Sequence, residues 1–239
     1  MAGLSTKDVK TGGGQPKIIE PGVHVLKINR VILSRPEFQA IQQEEGYFMA
    51  LDVESKPIDG FVGFQIDPDD ESKGHYKGQI GQVKTSRYYY RDGQTKSGVE
   101  ISRDMELLKQ IKNICIATNT LSWFEKADGK YETIEEFVDA FNKDMPFKDV
   151  YLKFCIGGKE FEKKNNYVGY DLYLPKLTKG KLAFEAENAK ASKLIEFNEA
   201  EHVIALNQTS VDSFGGGAVD PLSGGNIGDL PKMPDEFEL

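Results

Sequence analysis

The chain has few of the residues that usually build catalytic or metal centres. Among its 239 residues are three histidines and two cysteines. The histidines, at positions 24, 75 and 202, are scattered and belong to no spaced metal-binding or triad motif. A phosphate-binding loop of the Gly-x-x-x-x-Gly-Lys-Ser/Thr type is also missing. These absences argue against an enzyme and indicate neither a cofactor nor a metal site.

Long apolar runs are missing as well. No stretch approaches the roughly 20 apolar residues of a membrane helix, and residues 1–10 lack the apolar core of a signal peptide. We therefore expect a cytoplasmic protein without membrane contact. Cys115 lies in a helical pattern and Cys155 in an apolar strand, which fits reduced core residues in that compartment.

The charge of the chain is unevenly distributed. The formal net charge is −8, but residues 207–239 hold six acidic residues and one basic residue, so residues 1–206 carry only −3. Residues 73–103 reverse the sign, with seven basic and two acidic residues and four tyrosines. Net acidity argues against a simple electrostatic binder of nucleic acid, and this local basic stretch softens that objection.

The centre of the basic stretch, residues 79–91, predicts a strand. Side chains of a strand alternate between two faces, which here places Arg87, Tyr89 and Arg91 on one and Tyr88 and Tyr90 on the other. This combination suits single-stranded nucleic acid, because the cations can contact phosphates while the ring stacks on a base. The alternative is an ordinary half-buried strand whose tyrosines pack and whose arginines keep the edge soluble.

A second basic and aromatic cluster follows near two further predicted strands, 149–156 and 167–174. Gly157-Gly158 predicts the turn after the first of them. The cluster includes Tyr151, Lys153, Lys163, Lys164 and Tyr167. The alternative is a charged hairpin with a lysine-lined surface, but two clusters of the same chemistry in one acidic chain favour binding.

Other patterns predict the rest of the architecture. Strands are expected at 23–33, with a phase shift near Lys27 that indicates a bulge, and at 47–53 and 61–66. The acidic loop 67–71 lacks the pattern of a calcium-binding loop and is interpreted as a solvated turn, and Asp92-Gly93 predicts a hairpin. A helix is expected at 102–117 with Ser102 as its N-cap, and a second helix is expected from a capping box at 133–136. Trp123 lies between them and is expected to be a core residue.

The ends of the chain differ from its middle. Residues 1–16 are interpreted as a flexible arm and 207–239 as a disordered, Gly-rich acidic tail. Between them, 17–206 form one domain with a helical insertion at 102–142; within it, 182–193 have helical composition and 202–206 predict a short strand.

The tail ends in acids and large apolar residues on a glycine-rich leash. Such an end is suited to docking into an apolar pocket that is surrounded by cations. The residues of this expected partner-binding segment are Asp235, Glu236, Phe237, Glu238 and Leu239. The alternative is that the acidic end only keeps the protein soluble.

Taken together, these patterns resemble phage-encoded single-stranded DNA-binding proteins with an OB-fold. The resemblance covers roughly residues 20–175 and the last dozen residues. Its local signals are Pro21-Gly22-Val23-His24, Lys27-Ile28-Asn29 and Gly78-Gln-Ile-Gly-Gln82. It implies a mainly β (α+β) fold, a five-stranded barrel with a helical insertion. It also implies that the protein coats single strands during replication or recombination and recruits other replication proteins through its tail.

The leading hypothesis is therefore sequence-tolerant binding of single-stranded DNA. Phosphate contacts are expected from Lys84, Arg87, Arg91, Lys153, Lys163 and Lys164. Base stacking is expected from some of Tyr88, Tyr89, Tyr90, Tyr151 and Tyr167. The alternative is a non-enzymatic structural or assembly protein, such as a virion component. The sequence leaves open whether the protein prefers DNA or RNA and whether it forms a homo-oligomer.

Overall fold

The structure is a computed structural model that describes residues 19–36, 46–58, 75, 77–95, 97–163, 167–177, 182–187 and 195–206. Within them the strands are β1 Gly22–Ser34, β2 Phe48–Ser55, β3 Ile80–Lys84, β4 Gly93–Gln94, β5 Glu100–Ile101, β6 Tyr151–Lys163, β7 Tyr167–Tyr173, β8 Phe184–Ala186 and β9 Val203–Ile204. The helices are α1 Arg103–Ala117, α2 Leu121–Lys126, α3 Ile134–Asp144 and α4 Glu199–His202. The predictions for 1–16, 61–66, 67–71 and 207–239 lie outside these residues.

Five strands close into a barrel in the order β1, β2, β3, β7, β6 and back to β1. The β3–β7 pair is parallel, and the other four pairs are antiparallel. The chain is thus mainly β, a closed five-stranded barrel with a helical insertion, which is compatible with an OB-fold. This fold class confirms the one predicted from the sequence.

The first strand is long enough to pair on both of its sides. Its first half pairs with β6 and its second half with β2. The register with β2 shifts between Ile28 and Arg30, which is the bulge that the phase shift near Lys27 predicts. A bulge bends the strand, and this bend lets β1 take part in both pairings that curl the sheet into a barrel.

The barrel interior is filled by alternate residues of its strands. On β2, Met49, Leu51 and Val53 are almost completely buried. Val83, which pairs with Leu51 from β3, and Leu152 of β6 belong to the same core cluster. Such alternation is typical of a strand with one face in the core. In the opposite phase of β2, Phe48 and Asp52 are half-buried, while Ala50 and Glu54 are buried.

The helical insertion lies between β3 and β6 and packs on the barrel. Ser102 and Thr133 cap α1 and α3 as predicted, each accepting a backbone N–H with its side-chain oxygen. Trp123 on α2 meets Phe137 edge to face and Phe141 at a tilt. It is half-buried and packs against the core, as the sequence predicts. Within the described residues, no helix is long and apolar enough to cross a membrane.

One asparagine of the insertion joins it to the edge of β1. The Val31 N–H donates to Asn142 Oδ1, and Asn142 Nδ2 donates to the Val31 carbonyl, both at 2.8 Å. Val31 lies where β1 pairs with β2 alone, and its side chain is only 1% exposed. The amide therefore replaces a missing neighbouring strand by satisfying both backbone groups.

The predicted turn at Gly157-Gly158 is wrong, because β6 runs straight through both residues. A Cβ at Gly157 would lie 2.7 Å from the His202 carbonyl oxygen, and a Cβ at Gly158 would lie 2.4 Å from Pro21 Cγ. The two glycines thus allow close approach of other segments to the strand.

Three further local expectations need correction or are only partly met. The expected helical stretch 182–193 begins with strand β8, which pairs with β6. In the β4–β5 hairpin the Gly98 N–H donates to the Thr95 carbonyl at 2.9 Å, so the turn follows β4 instead of lying at Asp92-Gly93. The short strand expected at 202–206 is present as β9, and both cysteines are buried and free, as predicted.

We predict that replacing Asn142 with alanine lowers the free energy of unfolding by about 2–4 kcal/mol, because two buried backbone groups lose their partner. Urea unfolding of the purified variant measures this loss. Asn113→Ala on α1 is the control, since that half-buried amide makes no side-chain hydrogen bond within the described part of the chain. An equal loss in both variants would contradict the edge-capping role.

Candidate nucleic-acid interface

The basic stretch does not continue as a strand to Arg91. Strand β3 ends at Lys84, and residues 85–89 bend before Tyr90 forms an isolated bridge with Tyr47. Two hydroxyl side chains hold the bend: Thr85 Oγ1 donates to the Met49 carbonyl at 3.1 Å, and Ser86 Oγ accepts the Tyr88 N–H. The bond within residues 86–88 is local and competes with a sheet ladder, whereas the Thr85 bond reaches back to β2. The predicted alternation of faces beyond Lys84 is therefore wrong.

Tyr90 belongs to the core. Its side chain is 3% exposed, and its hydroxyl lies 2.9 Å from Thr85 Oγ1. Burial raises the pKa of Tyr90 to about 12, so the phenol stays protonated. A ring in this position does not stack on a base, and the structure removes Tyr90 from the expected stacking residues.

The other predicted residues of the stretch, together with Phe48 of β2, form what we call the cation–aromatic cluster: Phe48, Lys84, Arg87, Tyr88, Tyr89 and Arg91. Lys84 Nζ lies 5.0 Å from the Phe48 ring centroid. Phe48 meets Tyr89 edge to face at 6.1 Å, and the Arg91 guanidinium lies 5.6 Å from the Tyr89 ring. These are the usual geometries of aromatic and cation–π pairs, so the bend gathers rings and cations that a straight strand would separate.

Tyr89 is held in place by a glycine as well as by these partners. A Cβ at Gly46 would lie 2.6 Å from Tyr89 Cδ2, so the ring rests on the Gly46 backbone. Arg91 Nη1 also donates to the Tyr89 hydroxyl at 3.3 Å. The ring is half-buried, with its orientation fixed from two sides.

Arg87 lies between two tyrosines. Its Cζ is 5.1 Å from the Tyr88 ring and 5.7 Å from the Tyr173 ring, and its Nη2 donates to the Tyr88 hydroxyl at 2.7 Å. Arg87 is exposed. Within the described residues no carboxylate lies at salt-bridge distance from it. Its positive charge is therefore oriented by rings without being neutralised by an acid there.

Lys84 is instead paired with an acid. Its Nζ lies 2.7 Å from Asp171 Oδ2 on β7. The neighbouring acid of this face, Asp52, accepts two hydrogen bonds from Arg30 and one from Gln82. The outer face of β2, β3 and β7 is thus a mixture of paired charges around the cluster.

The second predicted cluster is divided between the two ends of β6. Tyr151 and Lys153 lie at its beginning, where Lys56 packs on the Tyr151 ring at 5.4 Å and Lys153 pairs in register with Glu185 of β8. Lys163 lies at the other end opposite Tyr167, both described by their backbone alone, and Lys164 lies outside the described residues. With a rise of about 3.3 Å per residue, Lys153 and Lys163 are roughly 33 Å apart along the strand.

Sequence reasoning missed Phe48, Tyr173 and Asp171. Phe48 lies in the predicted strand 47–53, in the opposite phase to the core residues Met49, Leu51 and Val53. An aromatic residue in the solvent phase of a strand was the available signal. Tyr173 has no such local signal, because its contact with Arg87 depends on the β3–β7 pairing.

A buried histidine supports the segment behind Tyr173. The Tyr173 hydroxyl donates to the His202 carbonyl at 3.0 Å. His202 Nδ1 accepts the Asn198 N–H and lies 3.6 Å from Cys155 Sγ. Burial lowers the pKa of His202 and raises the pKa of Cys155 to about 11, so both groups are neutral. Their role is structural, and the described residues contain no cluster that could hold a metal ion.

Comparisons with protein-family models, with curated proteins and with solved structures return no match to this chain.

We predict that acid weakens the fold through His202. Its pKa is lowered in the folded protein, so the unfolded chain binds more protons, and stability falls as pH drops below about 6.5. The contribution is at most about 1.4 kcal/mol per pH unit, and thermal unfolding between about pH 7.5 and pH 5.5 measures it. His202→Gln should reduce this dependence. Identical pH profiles for the native protein and the variant would contradict the role of His202.

Proposed function

We propose that the protein binds single-stranded DNA with little sequence preference and acts in replication, recombination or repair. The observation that carries the proposal is Arg87, an exposed guanidinium placed between two tyrosine rings with no carboxylate partner in the described residues. A guanidinium in this state is available for a phosphate. Tyr88 and Tyr89 beside it are half-buried rings of the kind that stack on bases.

The position of the cluster in the barrel supports the same function. Phe48 begins β2, and Lys84 ends β3. In OB-folds the face of the second and third strands binds oligonucleotides or oligosaccharides. Several cations beside the rings favour a phosphate-bearing ligand over a neutral sugar. The proposal is binding alone, without a chemical step.

The tail adds a second proposed role. It begins after Leu206, whose N–H donates to Glu160 Oε2 at 3.0 Å, so the last described residue before it is tied to β6. Residues 207–239 carry a net charge of −5 and end in Phe237 and Leu239. We propose that this segment recruits replication or recombination proteins, in the host cytoplasm where phage-encoded proteins of the resembled family act.

We predict that the protein quenches or shifts the fluorescence of labelled oligo-dT on binding, and that added salt weakens the complex steeply. The log–log slope should be about −0.7 for each phosphate contact. Arg87→Ala should weaken binding about tenfold, because it removes a charged contact, and should make the slope less negative by about 0.7. Titrations at several salt concentrations measure both quantities.

Lys126→Ala is the control for lost charge, since Lys126 is an exposed cation on α2 in the insertion. It should change affinity little. Equal loss in both variants would mean that only overall charge matters. Equal affinity for duplex and single strands, or no binding of single strands, would contradict the proposed function. An RNA oligonucleotide of the same length tests the preference for DNA.

We predict that removing residues 207–239 preserves or tightens DNA binding. The truncated chain carries −3 instead of −8, so less negative charge opposes the phosphates. A full-length variant with its six tail acids changed to asparagine or glutamine separates the effect of charge from that of length. Weaker binding in both variants would show that the tail contributes to the DNA site.

A further inference from the structure

Asp171 lies between two lysines on the outer face of the barrel. Its Oδ2 accepts a hydrogen bond from Lys84 Nζ of β3 at 2.7 Å. In the β6–β7 register it lies directly opposite Lys159. Directly opposed residues of an antiparallel pair have Cβ atoms about 4.5–5.5 Å apart. Asp171 and Lys159 are both exposed. The carboxylate is thus bound to Lys84 and lies opposite the strand position of Lys159, with which it forms no ion pair within the described residues.

The same face contains a second acid, and its contacts are different. Asp52 Oδ2 accepts hydrogen bonds from Arg30 Nε at 3.1 Å and from Arg30 Nη2 at 3.0 Å. Asp52 Oδ1 accepts a third hydrogen bond from Gln82 Nε2 at 3.3 Å. Three hydrogen bonds bind Asp52 into the sheet surface. Asp171 has the single described contact with Lys84, so its pairing is the easier of the two to exchange.

Lys84 is also part of the cation–aromatic cluster. Its ammonium lies over the Phe48 ring while it contacts Asp171. An anion that replaced the carboxylate would therefore meet Lys84 with an aromatic ring already beside it. A phosphate that is followed by a base along a single strand has this combination of charge and flat surface.

We propose that the Asp171 carboxylate occupies the position that a DNA phosphate takes between Lys84 and Lys159. Single-stranded DNA must then displace Asp171 from Lys84 on binding. This inference rests on the proposed function. The carboxylate opposes the incoming phosphate, so it lowers affinity and removes one effective phosphate contact. Asp171 is in this sense a residue that sets affinity without touching the DNA.

Asp171→Asn tests the inference, because it keeps the size of the side chain and removes its charge. We expect affinity for oligo-dT at low salt to rise about fivefold, which corresponds to one unit-charge interaction near 4 Å in water. The salt slope should become more negative by about 0.7, because Lys84 then counts as an additional phosphate contact. Thermal unfolding confirms that the variant is folded.

Two further variants make the result specific. Asp139→Asn changes the net charge by the same amount at an exposed position of α3, and it should leave affinity and slope nearly unchanged. In a Lys84→Met background, Asp171→Asn should change affinity no more than Asp139→Asn does, because the lysine that Asp171 pairs with is absent. Coupling between positions 84 and 171 is the signature of displacement.

The possible outcomes separate the inference from the proposed function. If the native protein binds single strands but Asp171→Asn has no effect, weakens binding or matches Asp139→Asn, the displacement inference is wrong and the function stands. If the native protein does not bind single strands, the proposed function fails and the inference fails with it.

Discussion

The barrel and the cluster both depend on one short parallel contact between β3 and β7. Lys84 is paired with Tyr173, and the Leu174 N–H donates to the Lys84 carbonyl at 2.8 Å. These bonds close the sheet at the point where β3 ends. The same pairing brings the Tyr173 ring to Arg87 and the Asp171 carboxylate to Lys84, so the geometry of closure also positions the charged and aromatic groups.

An acidic protein can present cations only if its acids are elsewhere or already paired. Here both conditions hold within the described residues. Asp52 and Asp171 are bound to cations of the same face, while Arg87 is oriented by tyrosine rings alone. The tail holds six further acids in residues 207–239. Net charge is therefore a poor guide to what one face of this molecule can bind.

Much of the fold followed from local patterns. The caps at Ser102 and Thr133 marked helix starts, and the phase shift near Lys27 marked the bulge in β1, because each depends on neighbours in sequence. The bend after Lys84 was not predictable in this way. Its cause is a hydrogen bond from Thr85 to the Met49 carbonyl, thirty-six residues away in the chain, and a distant partner leaves no periodic signal.

For the candidate site, the sequence indicated which residues to consider but not how they are grouped. Lys84, Arg87, Tyr88, Tyr89 and Arg91 were found from composition, because basic and aromatic residues were concentrated in one stretch. Their grouping with Phe48 and Tyr173 required the sheet order. The second predicted cluster is not a single group in the structure. Its residues are of the same chemical type, but they lie at opposite ends of the long strand β6.

Gly157 and Gly158 have a consequence that extends beyond packing. A side chain at either position would displace a different neighbour: the His202 segment and Tyr173 for the first, Pro21 and Tyr170 for the second. Two glycines in the middle of β6 thus let three other segments approach its backbone: Pro21 before β1, β7 with its Tyr173 and Tyr170 rings, and the His202 segment near the end of the described chain. A larger residue at position 157 would press on the Tyr173 ring that contacts Arg87, and one at position 158 would press on Pro21 before β1.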